Sequence, residues 1–269
     1  MAIQALYSAA TGMRAMDLKL DVVANNLANI STVGFKRSRV NFEDLMYRTL
    51  DEPGGRNGLD QPVPTGLQVG LGVQMSGTQQ EFEQGSVEQT GQAYDMMIEG
   101  DGFFQVQAFV NGQEQTVYCR AGNFTLNADG QLVLANSIGA RLEPSITIPQ
   151  DAIAVTIGQN GQVMVKTQGT TELSEVGRIQ LARFINPVGL KQLGKNLYDI
   201  SDASGQPIVG NPLENGLGGI QQGSLELSNS DPVKELVALI QTQRAFELNS
   251  QSIQGADQTL QTISNLRRF

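Results

Sequence analysis

The N-terminal residues 1–34 carry a regular hydrophobic pattern. Apolar side chains recur at alternating spacings of three and four residues, which is the heptad pattern of a coiled-coil-type helix. These positions are Leu6, Ala9, Met13, Met16, Leu20, Val23, Leu27 and Ile30. Taken as a helix from about Gln4 to Ser31, the segment would be roughly 40 Å long at 1.5 Å per residue. Gly34 follows the predicted helix, where a left-handed cap is easily adopted.

Three asparagines of this predicted helix lie off the seam. Asn25, Asn26 and Asn29 are poor helix formers, each costing about 0.5 kcal/mol relative to alanine if only water solvates it. We therefore expect their amides to be hydrogen bonded, either within the subunit or across a contact between subunits.

A matching pattern occupies the C-terminal end of the chain. Asp231-Pro232 is predicted to be an N-cap followed by proline at the first helical position. Two sets of seam positions then repeat every seven residues: Leu239, Phe246, Ile253 and Leu260 in one set, and Thr242, Asn249, Ala256 and Ile263 in the other. Periodicity alone fits two interpretations equally, ordinary two-helix packing inside a domain and packing between subunits.

The composition of the C-terminal segment favours packing between subunits. Between Ala245 and Leu266 the only charged residues are Glu247 and Asp257, whereas Gln, Asn, Ser and Thr are abundant. Amides and hydroxyls can be desolvated at a lower free-energy cost than ions. Such a surface suits burial between subunits, whereas a freely solvated helix would normally carry more charged residues.

The segment between the helices is predicted to be rich in strands and turns. Residues 35–75, with many Gly and Pro breakers, are expected to form a long extended loop or a short-stranded hairpin that packs on a neighbouring subunit. From Val73 to about Ile200 the pattern alternates, and the turns at 128–130 and 158–161 predict two hairpins. We predict an α+β fold, in which long N- and C-terminal helices pair in a coiled-coil-like layer and an antiparallel β-domain is inserted between them.

The charge and the residue types argue against several classes of function. A net charge of −9 and a pI near 4.6 disfavour a nucleic-acid surface. No apolar run approaches the roughly 20 residues of a membrane span, and the N-terminus lacks the features of a cleavable signal peptide, so we expect neither membrane insertion nor general secretion. Histidine is absent, which removes the commonest general base and metal ligand.

Candidate chemical motifs are few. The segment Gly100-Asp101-Gly102 resembles a fragment of a metal or phosphate loop, but a tight turn explains it better because further oxygen ligands are missing. Cys119 is predicted to be a buried small hydrophobe in a strand rather than a reactive thiol. We find no catalytic constellation and predict a protein without enzyme activity, cofactor or metal. Of the three classes of function considered, an enzyme would need a convergent polar site, which the sequence does not offer. The other two are a structural subunit and a soluble β-rich binding or cap module.

Three motifs resemble those of a known family. Residues 25–36 (NNLANISTVGFK) resemble the N-terminal signature of the bacterial flagellar rod and hook family of axial proteins, and residues 223–229 (GSLELSN) and 243–250 (QRAFELNS) resemble its C-terminal one. Further matches lie at 100–104 and 120–124. The stretches 42–49 (FEDLMYRT) and 65–73 are similar to the extended loop that the distal part of the rod carries and the hook lacks. The signature residues are Asn25, Asn26, Asn29, Gly34, Phe35, Gln243, Arg244 and Asn249.

This resemblance implies a structural role. It implies a subunit of the distal rod of the flagellar basal body, polymerising helically into a hollow, rigid drive shaft that transmits torque and serves as an export channel. A proximal rod or hook-type subunit is the alternative within the family. The implied partners are other copies of the chain, proximal rod subunits, the hook protein, the proteins of the peptidoglycan and outer-membrane rings, and the flagellar type III export apparatus.

The implied organisation has four segments. Residues 1–34 and 225–269 would be the N- and C-terminal axial helices, 35–75 the distal-rod-type loop or hairpin, and 76–224 a β-rich outer domain. The subunit-assembly seam would consist of Leu6, Met13, Met16, Leu20, Val23, Leu27, Ile30, Leu239, Phe246, Ile253, Leu260 and Ile263.

Overall fold

The structure is a computed structural model that describes residues 2–54, 64–110, 112–169 and 172–266. The chain forms two compact units. The first, here called the helical unit, contains the two ends of the chain together with residues 38–79, and the second, the β unit, contains residues 29–37 and 80–230. The fold is α+β, as predicted.

Two long helices dominate the helical unit. Helix α1 spans Ala2–Ala28 and helix α2 spans Pro232–Leu266, and the two pack against each other. They run antiparallel, because Gly12 lies against Asn249 near the middle of both helices, whereas Asn26, at the end of α1, donates to Glu235 in the first turn of α2. The predicted pairing of the N- and C-terminal helices is confirmed. Among the described residues, neither helix has the length and apolarity that a membrane crossing needs.

The end of α1 and the start of α2 are formed by different local interactions. The predicted N-cap of α2 is confirmed, because Asp231 Oδ1 accepts hydrogen bonds from the backbone N–H of Val233 (2.9 Å) and of Lys234 (3.3 Å). Helix α1 ends at Ala28, earlier than the predicted Ser31. The residues that follow form a turn instead, in which Thr32 donates from its backbone N–H to Asn29 O and from its hydroxyl to Asn29 Oδ1.

Four strands follow α1 along the chain. They are β1 (Ser38–Asp44), β2 (Tyr47–Asp51), β3 (Leu67–Gly70) and β4 (Val73–Gln80), with β1 paired to β4 and β2 antiparallel to β3. The hairpin expected for residues 35–75 is therefore present in the described part, and residues 55–63 lie outside it. Gly72 (φ 121°) lets this hairpin approach α1, since a Cβ there would overlap the hydroxyl oxygen of Thr11.

The β unit contains sixteen described strands. They are β5 (Val87–Gln89), β6 (Met96–Glu99), β7 (Phe103–Val110), β8 (Gln113–Cys119), β9 (Phe124–Leu126), β10 (Leu132–Leu134), β11 (Arg141–Leu142), β12 (Ala152–Ile157), β13 (Gln162–Thr167), β14 (Ser174–Arg178), β15 (Leu181–Arg183), β16 (Lys191–Gly194), β17 (Leu197–Asp199), β18 (Ile208–Gly210), β19 (Gly219–Gln222) and β20 (Ser224–Glu226), with a short 3₁₀ helix at Pro187–Gly189.

The largest sheet of the described β unit has nine strands. It runs in the order β16-β17-β8-β7-β11-β10-β9, with β15 also on β7 and β18 on β15, while β12, β13 and β14 form a separate sheet. The pairings within both sheets are antiparallel, as predicted. Both predicted hairpins are present, as β9–β10 and β12–β13.

The core of the β unit lies under strands β7 and β8. Phe104, Val106 and Val117 have no exposed surface, and Phe104 packs edge-to-face on Phe124 with 5.2 Å between the ring centroids. Cys119 is a fully buried strand residue, as predicted, and burial raises the pKa of its thiol to about 12. A thiol in this position is unreactive at neutral pH.

Candidate functional site

The N-terminal half of helix α2 carries apolar side chains on two opposite faces. The first is the seam face, which also carries the polar residues Glu235, Thr242 and Asn249, and of these Glu235 and Asn249 contact α1. The predicted seam positions share this face because they differ from these residues by multiples of three and four. Leu239, Phe246, Ile253 and Leu260 are half-buried there, and on α1 Leu6, Met13, Met16, Leu20 and Leu27 are half-buried and Val23 is buried.

Two predicted seam residues have a different place. Ile30 lies beyond the end of α1, and the side chain of Ile263 lies outside the described residues. A role of the seam in contacts between subunits remains a prediction, since the described contact joins two helices of one chain.

The second face of α2 is exposed. Val233, Leu236, Val237, Ile240 and Leu248 follow helical spacing on the side away from the seam, with exposures from 46% for Leu236 to 68% for Val233. We call these five residues the outer stripe. A helix that is apolar on two opposite sides is suited to burial between two neighbours.

Strands β2 and β3 form a second exposed apolar surface. Tyr47, Leu50, Leu67 and Val69 are exposed on this two-stranded sheet, and Met46 beside it is 81% exposed. A lone two-stranded hairpin is marginally stable in water unless another surface covers it. This sheet, here called the ribbon, is therefore a candidate contact surface.

Asn26 is the signature residue with the clearest structural task. Its amide is 2% exposed and clamps Ser38, accepting from the Ser38 N–H and donating to the Ser38 carbonyl, both at 2.9 Å. It also donates to Glu235 Oε2 at 3.4 Å. The expectation that these amides are hydrogen bonded is confirmed for Asn26 and for Asn29. The described hydrogen bonds of Asn26 and Asn29 all join residues of one chain.

The remaining signature residues of α2 differ in exposure. Gln243 and Arg244 are exposed, whereas Asn249 is half-buried against Gly12 of α1. A Cβ on Gly12 would lie 3.1 Å from Asn249 Nδ2, so the absence of a side chain lets the two helices approach closely here.

The β unit contains a buried ionic centre of three side chains. Lys36 Nζ and Arg120 Nε each lie 2.6 Å from a different carboxylate oxygen of Glu226. The three side chains are 1%, 5% and 1% exposed. Burial lowers the pKa of Lys36, although Glu226 opposes that shift. Burial alone would raise the pKa of Glu226, but Arg120 and Lys36 outweigh it and hold that pKa below its usual value.

Backbone groups complete the ionic centre. Arg120 donates to the carbonyls of Ile98, Gly100 and Gly102, and Lys36 donates to the carbonyl of Glu83 at 2.6 Å. The predicted turn at residues 100–102 thus has a further task, because its carbonyls are acceptors for a buried guanidinium. Hydrogen bonds to both partners are what a buried ion pair needs to offset desolvation.

The centre joins the places where the chain enters and leaves the β unit. Lys36 follows the turn after α1, and Glu226 ends β20 shortly before α2. Gly34 (φ 69°) donates its N–H to Glu226 O at 2.8 Å. Its left-handed conformation was predicted to cap α1, and this is wrong, because α1 ends at Ala28. Gly34 instead fits against the backbone of Ala121, since a Cβ added to Gly34 would lie only 2.6 Å from Ala121 N.

Asn229 adds a second tie between the same two segments. Its Oδ1 accepts from the Arg37 N–H at 2.8 Å, and its Nδ2 donates to Glu81 O at 2.7 Å. Arg37 and Glu81 also form an ion pair at 2.8 Å. Sequence reasoning singled out Gly34 and Phe35 but missed Lys36, Arg120, Glu226 and Asn229. One feature of the sequence could have indicated the ionic centre. The mostly uncharged motifs at residues 25–36, 120–124 and 223–229 each contain a single charged residue, Lys36, Arg120 and Glu226 respectively.

Comparison with known proteins matches three separate regions of the chain. Residues 6–36 match the family model described as flagella basal body rod protein, residues 97–165 match the flagellar hook protein FlgE/F/G D1 domain, and residues 221–266 match the C-terminal model of the flagellar basal body rod FlgEFG proteins. The flagellar basal-body rod protein FlgG of Buchnera aphidicola from Schizaphis graminum is 45% identical over 98% of this chain and 100% of its own length. The chain belongs to the flagellar basal-body rod protein family.

Other rod proteins match over the same extent. The FlgG proteins of Caulobacter vibrioides and Bacillus subtilis are 44% and 38% identical over 98% and 99% of this chain, and each is covered completely. The predicted resemblance to rod and hook axial proteins is confirmed. Each of the three matched regions of this chain supplies one member of the ionic centre: Lys36 comes from the first, Arg120 from the second and Glu226 from the third.

Proposed function

We propose that this chain is a structural subunit of the distal rod of the bacterial flagellar basal body, which polymerises helically into a hollow, rigid drive shaft. The outer stripe of α2 carries the proposal, because it exposes five large apolar side chains on the side away from α1. Membership of the rod protein family supports the same role.

The outer stripe supplies a driving force for assembly. Burying a large apolar side chain contributes about 1.5–3 kcal/mol, and these side chains are already partly covered, so the stripe would contribute on the order of 5 kcal/mol per contact. One helix could then pack on α1 of its own chain and on a helix of the next copy. Seams of this kind resist sliding, because a shift by one residue misplaces every side chain along the seam. Such a shaft transmits torque to the hook.

The ribbon supports a contact between neighbouring subunits in the distal rod. Its exposed residues, together with Met46, would be covered when it packs on another copy. We infer that this segment locks adjacent subunits and keeps the shaft straight. The proximal rod and the hook would not require it.

The C-terminal half of α2 is suited to lining the export channel. From Leu248 to Leu266 the only charged residue is Asp257, and Gln254 and Gln258 are exposed. An unfolded chain passing such a wall meets few fixed charges that could retain it. The β-rich residues 76–224 would face outward, with 1–34 and 225–269 as the inner tube.

The proposed partners follow from this position. Other copies form the shaft, proximal rod subunits lie below it and the hook protein above it, and the proteins of the peptidoglycan and outer-membrane rings surround it. The flagellar type III apparatus would export the subunit to its place in the basal body.

The experiment is electron microscopy of the full chain at high concentration beside a variant with Val237→Glu and Ile240→Glu in the outer stripe. The matched control carries the same two added charges at exposed polar positions of α2, Gln241→Glu and Ser252→Glu. Hollow rods from the unchanged chain and from the control, but not from the stripe variant, are the expected result. A monomer under all conditions would instead favour the soluble binding or cap module.

A further inference from the structure

A cavity of about 160 Å³ lies beside the ionic centre in the β unit. Two buried cations of the centre, Lys36 and Arg120, form part of its wall. Phe82, Phe103 and Phe184 supply aromatic walls, and Phe103 packs edge-to-face on both of the others with centroids 5.5 and 5.7 Å apart. This volume has room for a ligand of about the size of benzene.

The ionic centre leaves one positive charge uncompensated. Two cations share the single carboxylate of Glu226, and a buried charge without a partner is costly. Asp101 and Arg183 also line the cavity, but they carry opposite charges and are both exposed, so they leave the balance unchanged. The electrostatic balance therefore favours one further anion.

Each buried cation also has a hydrogen-bond donor to spare. Among the described residues, the Lys36 ammonium has two acceptors for its three N–H groups, Glu83 O and Glu226 Oε1. Arg120 makes four hydrogen bonds and has five N–H groups. A carboxylate has two oxygens and one negative charge, and so it matches both the two donors and the charge.

We propose that this cavity is a carboxylate-binding site, in which Lys36 and Arg120 hold the carboxylate and the three phenylalanine rings hold an aromatic or aliphatic body. Two ligands could supply this carboxylate: a small free organic acid, or an acidic side chain of a second copy of this chain. The binding site is inferred from the cavity and its lining alone. Only an acidic side chain of a second copy, as the source of the carboxylate, rests on the proposed self-assembly.

The test uses ¹⁵N-labelled full-length chain titrated with benzoate, with chloride keeping the ionic strength constant. Benzamide, which is uncharged and similar in shape, is the control ligand. We expect saturable shifts of the Gly102 and Phe103 amide signals with benzoate and affinity about tenfold or more weaker for benzamide, as a charge-assisted hydrogen bond provides. Equal affinity for the two ligands, or no saturable shift with benzoate, would overturn the proposal.

Two variants test the lining residues, one at a buried position and one at an exposed position, so that the second is informative even if the first fails to fold. Lys36→Met removes the surplus charge and one donor while keeping the Arg120–Glu226 pair, and should lower benzoate affinity about tenfold. Ile185→Asp places a negative charge on a cavity-lining residue that is 83% exposed, and should also weaken binding. Ile153→Asp, at a residue 66% exposed on β12 and outside the cavity wall, is the matched control. Unchanged benzoate affinity in Ile185→Asp would contradict the proposed site.

A second arm distinguishes the two sources. Sedimentation of the chain at high concentration is measured with and without saturating benzoate. Reduced self-association assigns the site to an acidic side chain of another copy, because benzoate then competes with it. Unchanged self-association with saturable binding assigns it to a free organic acid.

Discussion

Asn26 donates a hydrogen bond to Glu235 across 209 residues of sequence and also binds both backbone groups of Ser38. One buried amide thus connects the end of α1, the start of β1 and the first turn of α2, all within the helical unit. An asparagine fits this position because it offers a donor and an acceptor on a short side chain.

The Asn26→Ala variant should destabilise the chain by about 2–4 kcal/mol, because it leaves the backbone groups of Ser38 and the Glu235 carboxylate with fewer partners. Urea unfolding measures the change. The control is Asn265→Ala, the same substitution at an exposed position of α2. An equal free energy of unfolding in the two variants would contradict the assigned role of Asn26.

Within the ionic centre, Glu226→Gln should cost more stability than Lys36→Met. The first variant leaves two buried cations without a counter-ion, at a cost of about 3–5 kcal/mol, whereas the second leaves the Arg120–Glu226 pair balanced. Guanidinium unfolding of both variants beside the unchanged chain tests the order. A greater loss of stability in Lys36→Met than in Glu226→Gln would contradict the inference that the ionic centre carries a surplus positive charge.

The ionic centre also predicts an acid dependence of stability. Because the folded-state pKa of Glu226 is held below its ordinary value of 4.5, its stabilising contribution is fully present above pH 4.5 and is lost as the pH falls through the folded-state pKa. The free energy of unfolding of the unchanged chain should therefore converge on that of Glu226→Gln in acid. A difference between them that stays constant down to the acid transition would refute this linkage.

Gly34→Ala should be far more damaging than alanine at another left-handed glycine of the same unit. Gly34 and Gly205 have φ values of 69° and 74°, but only at Gly34 would the new Cβ overlap backbone, 2.6 Å from Ala121 N. Gly205→Ala carries the conformational cost alone, about 1–2 kcal/mol. Thermal unfolding of the two variants separates the cost of the backbone conformation from the cost of the overlap.

The proposed channel lining predicts an export defect without an assembly defect. Replacing Gln254 and Gln258 by Lys puts two fixed charges on the proposed wall, which should slow secretion of hook and filament proteins while rods still form. Cells carrying Gln113→Lys, at an exposed position of β8, serve as the control. Normal secretion through rods of the double variant would rule out this lining.

Much of this architecture was predictable because its causes are local. Heptad spacing at Leu20 and Phe246 identifies the helices, Asp231-Pro232 identifies the start of α2, and the turns at 128–130 and 158–161 identify two hairpins. Each of these signals comes from residues that are close together in the sequence, where periodicity and turn chemistry decide. The family could be recognised from short motifs for the same reason.

Tertiary structure decided the rest, because the remaining interactions join distant parts of the chain. Lys36 and Glu226 are 190 residues apart, and no local pattern indicates that they share a buried site with Arg120. The end of α1 at Ala28 and the left-handed Gly34 depend on the turn and on the backbone of Ala121. By itself the sequence determined which segments form helices and hairpins, since those follow from local spacing. Which charges are buried together, and which face of α2 stays exposed, depended on long-range packing.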